Sequence, residues 1–87
     1  MRGVVVDEKG SPIERAAVYL QDAPAHRLRI KQTGRNGQFQ FNAIRSGVDH
    51  YVYAEEQGDT SEKLAIPNSE MRREIVVKLK VEHKKKQ

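Results

Sequence analysis

Apolar residues recur at every second position in this sequence, and this spacing constrains the fold more than any other feature. The alternation is clearest in residues 28–31, 38–41 and 77–81, where apolar side chains alternate with arginine, lysine or glutamine. Successive side chains of a β-strand point to opposite faces, whereas a helix repeats every 3.6 residues. Each of these segments therefore predicts a strand with one buried face.

Four more segments are rich in β-branched and aromatic residues, namely 4–6, 17–20, 51–54 and 64–66. Such residues favour strands, so the chain contains seven predicted strands. Turn residues separate the segments at intervals of about 8–12 residues, which is typical of an all-β sandwich or barrel. The only competing helical pattern, at residues 68–74, would add a single turn and would not change this class.

Two turns have a defined chemistry. After the first strand, Gly10 supplies a positive φ, Pro12 stops the ladder, and the Asp7 carboxylate can accept hydrogen bonds from backbone amides of the turn. Asn36-Gly37 is a pair favoured in tight hairpins, with Gly37 at the positive φ. These residues are predicted to have structural roles, as are Phe39 and Phe41, which point to one face and fill the space between sheets.

The length and charge of the chain limit its organisation. Its 87 residues allow one domain, and with no cysteine there is neither a disulfide nor a cysteine-based metal site. The net charge is +4, but three of these charges are the lysines of the His83–Gln87 tail, so residues 1–83 carry 13 basic and 12 acidic side chains. We therefore predict a nearly neutral domain over residues 1–82 and a flexible basic tail at 83–87.

A family resemblance extends over nearly the whole sequence. The segments that carry it are GVVVDEKGSPI at residues 3–13, AAVYL at 16–20, TGRNGQFQFNAI at 33–44, and Gly47. Together they resemble the carboxypeptidase regulatory-like domains. The resemblance implies a seven-stranded, mainly antiparallel, immunoglobulin-like or prealbumin-like (transthyretin-like) β-sandwich with Greek-key connections, and it implies a structural role for Gly47. It also implies an extracellular, periplasmic or cell-surface location.

The core of such a sandwich is predicted from the alternating positions. The expected core residues are Val4, Val6, Val18, Leu20, Leu28, Ile30, Phe39, Phe41, Val52, Ile75, Val77 and Leu79. At residues 52 and 53, the sequence leaves open whether the valine or the tyrosine faces inward.

Residues for catalysis or for a cofactor do not assemble into a recognisable pattern. The serines lie in predicted turns without a nucleophile motif, and the acidic residues are too scattered to predict a calcium site. His26, His50 and His83 lack the spacing of metal ligands and are predicted to be solvated. We therefore expect a protein that is not an enzyme and needs no cofactor or metal.

Two groups of residues form a candidate binding surface. Tyr19, Tyr51 and Tyr53 could bind a carbohydrate, although packing in the core or on a sheet face is the favoured interpretation. The basic residues Arg27, Arg29 and Lys31 could contact an acidic partner, although protection of a sheet edge is favoured.

The predicted function is that of a non-catalytic accessory module, acting as a structural spacer or as a protein-interaction domain beside a neighbouring protein domain. The alternative is a carbohydrate- or surface-binding module. Nucleic-acid binding is expected only as a weak activity of the basic tail. No apolar run approaches the roughly 18 residues of a membrane span. The expected oligomeric state is a monomer or a weak dimer.

Overall fold

Eight strands and no helix are found in the part of the chain that the computed structural model describes, which is residues 1–22, 28–42, 49–66 and 76–82. The strands are β1 (Arg2–Val6), β2 (Ala17–Asp22), β3 (Leu28–Gln32), β4 (Gln38–Gln40), β5 (His50–Glu56), β6 (Asp59–Thr60), β7 (Leu64–Ile66) and β8 (Val76–Lys80). The predicted all-β class is confirmed for these residues. The predicted count of seven is wrong, because the two-residue β6 adds a strand that has no apolar pattern of its own. The helical window at 68–74, Gly47 and the tail at 83–87 lie outside the described residues.

The strands form two sheets. One sheet has three strands in the order β4-β1-β8, and β1 pairs with β8 in parallel and with β4 antiparallel. The other sheet has five strands in the order β3-β2-β5-β6, with β7 also paired to β5. All pairs in this second sheet are antiparallel, so the prediction of a mainly antiparallel fold is confirmed.

Both sheets contribute their inner faces to one apolar core. From the five-stranded sheet, Val18, Leu20 and Val52 are almost completely buried, and from the three-stranded sheet Val5 and Leu79 join them. The predicted core residues that are buried are Val6, Val18, Leu20, Phe39, Phe41, Val52, Val77 and Leu79. Val52 therefore faces inward and Tyr53 faces outward. Ile75 lies outside the described residues.

Three predicted core residues are not in the core. Val4 is only half-buried, and its neighbour Val5 is fully buried instead. Leu28 and Ile30 are 47% and 59% exposed. Alternation divides a strand into two faces but does not decide which face points inward. In β3 the partner strand decides, because the registered pair of Leu20 and Arg29 puts the arginine on the inner face.

The turn after β1 is closed by one carboxylate. Oδ1 of Asp7 accepts hydrogen bonds from the backbone N–H groups of Lys9 and Ser11, both at 2.9 Å. Gly10 has a φ of +87° and donates its N–H to the Asp7 carbonyl. Pro12 then forms an isolated bridge with Val6. The carboxylate and the glycine together stabilise this turn, in which backbone N–H groups would otherwise be unpaired.

The turn at Gly34–Gly37 connects the two sheets. The Asn36-Gly37 pair predicts a hairpin, but β3 and β4 belong to different sheets. Gly37 has a φ of +72°, and a Cβ there would lie 2.6 Å from the carbonyl oxygen of Val5 and 3.0 Å from Cβ of Pro12. Its own carbonyl accepts a hydrogen bond from Val5 N–H. Glycine is needed both for the backbone conformation and for this close approach.

Candidate functional site

The outer face of the five-stranded sheet carries an aromatic and aliphatic surface, which we call the outer patch. It consists of Tyr19, Leu28, Ile30, Tyr51 and Tyr53. Strand pairing brings these residues together, because Ile30 pairs with Tyr19 and Tyr19 pairs with Tyr53. The next row contains Leu28, Gln21 and Tyr51. Residues paired across antiparallel strands share a face, so three strands contribute to one continuous surface.

The tyrosine rings of the outer patch are held in fixed positions. Tyr19 and Tyr53 stack with ring centroids 4.9 Å apart and an interplanar angle of 15°. The Nζ atom of Lys63 lies 5.3 Å from the centroid of Tyr53 and 6.0 Å from that of Tyr51. Both contacts are within the range of cation–π attraction. Tyr53 therefore contacts both Tyr19 and Lys63, and each of Tyr19 and Tyr51 has a contact on one ring face.

A carboxylate orients one of the hydroxyl groups. The Tyr19 hydroxyl donates a hydrogen bond to Oε1 of Glu55 over 2.9 Å. This hydrogen bond is the largest factor that raises the pKa of Tyr19, and desolvation and the charge of Glu55 raise it further. Deprotonation would put a second negative charge beside the carboxylate. Tyr19 is thus kept as a hydrogen-bond donor, and its ring is fixed against Tyr53.

The structure describes two of the three predicted basic residues, and these two differ in exposure. Arg29 is half-buried, with its guanidinium carbon 5.4 Å from the centroid of the Phe41 ring, whereas Lys31 is exposed. Both lie on the inner side of edge strand β3, opposite Leu20 and Val18. The Arg29 guanidinium therefore lies against a core ring, as long basic side chains often do at the border of a core. Arg27 lies outside the described residues.

A buried histidine–aspartate pair lies at the end of β2. His50 is 1% exposed and Asp22 is 5% exposed, and Nε2 of His50 is 2.8 Å from Oδ1 of Asp22. The prediction that His50 is solvated is therefore wrong, because it begins strand β5 directly opposite Asp22. The contact has the length of an ion pair, yet within the described residues neither ring nitrogen has a well-aligned hydrogen bond. Burial of both groups keeps them from a solvent-borne ligand.

A groove of about 490 Å³ lies along the three-stranded sheet. Its polar lining comes from Arg2, Gln38 and Gln40, and its apolar lining includes Val4 and Val76. Among the described residues, its lining includes no histidine, carboxylate or hydroxyl group, and it offers the amides of two glutamines and one cation.

Metal ligands do not cluster in the described ranges. No group of three or more histidine, cysteine, aspartate or glutamate side chains is placed to hold an ion among residues 1–22, 28–42, 49–66 and 76–82. Over the same ranges, the chain forms no helix that could cross a lipid bilayer.

No protein-family model matches the sequence, and no curated protein is similar enough to it to count as a match.

The outer patch was only partly predictable from the sequence. The tyrosines were predicted, but Leu28 and Ile30 were assigned to the core, and nothing in the local pattern indicated Lys63 or Glu55. Only the pairing of distant strands brings those residues together.

Proposed function

We propose that this chain is a non-catalytic accessory module that binds a partner protein through the outer patch. The observation that carries the proposal is the exposure of Leu28 and Ile30, at 47% and 59%, directly beside three tyrosines on one sheet face. Single exposed apolar residues are common, but an adjoining group of them often marks an interaction site. Tyrosine is also among the residues that contribute most to binding at protein interfaces.

The geometry of the rings favours a protein over a carbohydrate. A sugar binds tyrosine by stacking on an open ring face. Tyr53 has Tyr19 on one side and the Lys63 ammonium within 5.3 Å, and Lys63 also lies over Tyr51. Leu28 and Ile30 add aliphatic surface with no hydrogen-bonding groups in their side chains. A partner with an apolar surface can bury these side chains, and it can accept hydrogen bonds from the hydroxyls of Tyr51 and Tyr53.

Carbohydrate binding is the second candidate, since three tyrosines do lie on one face. A sugar would compete with Lys63 for the ring faces of Tyr51 and Tyr53 that this lysine contacts. The fold family and the location of the chain are also part of the proposal. The resemblance to carboxypeptidase regulatory-like domains supports a Greek-key prealbumin-like sandwich over residues 1–82, acting beside a neighbouring domain of an exported or cell-surface protein.

The test is a selection of peptides from a displayed random library against the 87-residue chain, with binding sites mapped by amide NMR. We expect the shifts to fall on β2, β3 and β5, and we expect the double substitution Leu28→Thr with Ile30→Thr to weaken binding at least about tenfold. The matched control is Val76→Thr, because Val76 is 66% exposed on the other sheet. Equal binding by the double variant, or equal loss with Val76→Thr, would overturn the proposal.

The same spectra decide between the two candidates. An oligosaccharide panel should leave the amides around the outer patch unshifted. Shifts at Tyr51 and Tyr53 with sugar, together with no peptide binding on this face, would establish the carbohydrate function instead.

A further inference from the structure

The open edge of β3 adjoins the outer patch, and it has the features of a site for strand addition. Strand β3 is the last strand on its side of the five-stranded sheet, and within the described residues it pairs only with β2. It is also the most exposed of the longer strands, since only Arg29 is half-buried. An edge strand of this kind presents backbone groups with which an extended peptide can pair.

The register identifies the backbone groups that face outward. Thr33 N–H donates to the Ala16 carbonyl over 2.9 Å, so this pair is hydrogen-bonded. In an antiparallel pair, alternate residues point their N–H and C=O groups at the partner strand. Counting back from Thr33 in steps of two, the backbone N–H and C=O groups of Lys31 and Arg29 also point toward β2. The N–H and C=O groups of Leu28, Ile30 and Gln32 therefore point away from β2, toward the open edge.

The side chains of β3 determine which peptide would fit. On the outer side are the exposed Leu28 and Ile30, and on the inner side are Arg29 and Lys31. Residues opposite one another in a sheet interact directly, and opposite charges in such pairs stabilise it. We propose that the β3 edge binds an extended peptide strand in which apolar residues alternate with aspartate or glutamate. The apolar residues pack beside Ile30, and the carboxylates lie opposite the two cations.

The same charges disfavour a second copy of this chain as the occupant. If two β3 strands paired antiparallel about Ile30, Arg29 of each copy would lie opposite Lys31 of the other. Like charges in facing positions destabilise a sheet. Cations on an edge strand thus oppose self-pairing, and they exclude a strand with basic residues at the facing positions. They do not exclude a strand that carries carboxylates there.

This inference rests on the proposed protein-binding function and specifies the chemistry and geometry of the partner segment. The test uses a short peptide that alternates valine and glutamate, added to the full 87-residue chain. Amide hydrogen exchange is followed by NMR. We expect the amides of Ile30 and Gln32 to exchange at least about tenfold more slowly with the peptide, because they become hydrogen-bonded. Unchanged exchange at saturating peptide, or no binding at all, would overturn the inference.

Three control peptides separate strand addition from other binding. A peptide with N-methyl groups on the amides that face β3 should bind at least about tenfold more weakly, since it lacks those donors. A valine–lysine peptide should bind at least about tenfold more weakly, because its cations lie opposite Arg29 and Lys31. A peptide with its valines and glutamates in separate blocks should not protect Ile30. Protection by all of these peptides would overturn the proposed pairing and its charge preference.

Two substitutions test the edge from the side of the protein. Ile30→Pro removes one outward N–H without touching the ladder to β2, and proline is tolerated in that situation on an edge strand. Ile30→Ala, the matched control, removes the apolar side chain but keeps the N–H. We expect amide protection at Gln32 to be lost with proline and retained with alanine. Equal effects of the two substitutions would show that the peptide binds to side chains and not to the backbone edge.

Charge reversal gives an independent result. Lys31→Glu should weaken the valine–glutamate peptide about two- to fivefold and strengthen the valine–lysine peptide by a similar factor. An unchanged preference would overturn the charge assignment. Selected peptides that bind the outer patch without protecting the β3 amides would leave the proposed function standing while this inference fails. If the selected peptides also fail to bind the outer patch, the proposed function and this inference are both overturned.

Discussion

The outer faces of the two sheets differ in composition although their inner faces share one core. On the three-stranded sheet, the outward positions include glutamines and lysines, such as Gln38 next to Val4 and Lys78. On the five-stranded sheet, the corresponding positions carry tyrosine, leucine and isoleucine. The outer face of the first sheet also contains Val4 and the exposed Val76, but it carries no aromatic side chain among the described residues. We therefore expect that folding does not require the aromatic residues of the outer patch.

The largest expected effect comes from Gly3→Ala, which tests how the smaller sheet is held together. Gly3 lies in the central strand β1, where an added Cβ would overlap the carbonyl oxygen of Val77 and approach Cζ of Phe39 at 2.7 Å. We expect the free energy of unfolding to fall by about 3 kcal/mol, at the upper end of overpacking effects. Urea denaturation followed by circular dichroism measures it.

The control is Gly34→Ala, where the nearest atom lies 4.0 Å from the added Cβ and φ is not positive. We expect this substitution to change stability by less than about 0.5 kcal/mol. If the two alanine variants were equally stable, the three-stranded sheet would not depend on close contact at Gly3.

The sequence predicted where the strands lie better than it predicted which face of each strand is buried. Period-two spacing located three of the seven predicted strands, and enrichment in β-branched and aromatic residues located the other four, because both signals are local properties of the chain. The pattern of residues 28–31 was assigned in the wrong orientation, because the pairing of Leu20 with Arg29 is set by contacts between distant segments. His50 was assigned to solvent for the same reason, since its partner Asp22 is distant in sequence. The burial of these side chains depends on the register between paired strands, so it could not be predicted from one strand alone.

The second prediction concerns the junction between the sheets. The buried hydroxyl of Thr33 accepts a hydrogen bond from Ala16 N–H at 2.8 Å and donates one to the Ile13 carbonyl at 2.6 Å. Thr33→Val keeps the shape but leaves these two backbone groups without that partner. We expect a loss of about 2 kcal/mol in the free energy of unfolding, measured by urea denaturation. Thr33→Ser keeps the hydroxyl and should lose less than half as much. An equal loss for both variants would show that packing of the methyl group, and not hydrogen bonding, is the main contribution.

A smaller effect measures what the outer patch contributes to stability. Tyr19 and Tyr53 stack across β2 and β5. A double-mutant cycle with Tyr19→Leu and Tyr53→Leu should give a coupling energy of about 1 kcal/mol. The variant Ile30→Thr should change stability by less than about 0.5 kcal/mol, although it lies in the same row. A coupling energy of several kcal/mol would contradict the comparison above, because the patch would then be needed for folding.

The smallest effect is a change in the titration of one hydroxyl group in the outer patch. The hydrogen bond to Glu55 raises the pKa of Tyr19, so the folded chain favours the neutral phenol. This contribution to stability is complete below the pKa of the unfolded chain, and it is lost as the pH rises through the higher pKa of the folded chain. Glu55→Gln should lower the Tyr19 pKa, as followed by the ¹³Cζ chemical shift of the tyrosine. Glu56→Gln is the matched control, because residue 56 points to the opposite face of β5 and should leave Tyr19 unchanged. An equal shift in both variants would mean that the general charge of the strand, and not the hydrogen bond, holds the proton on Tyr19.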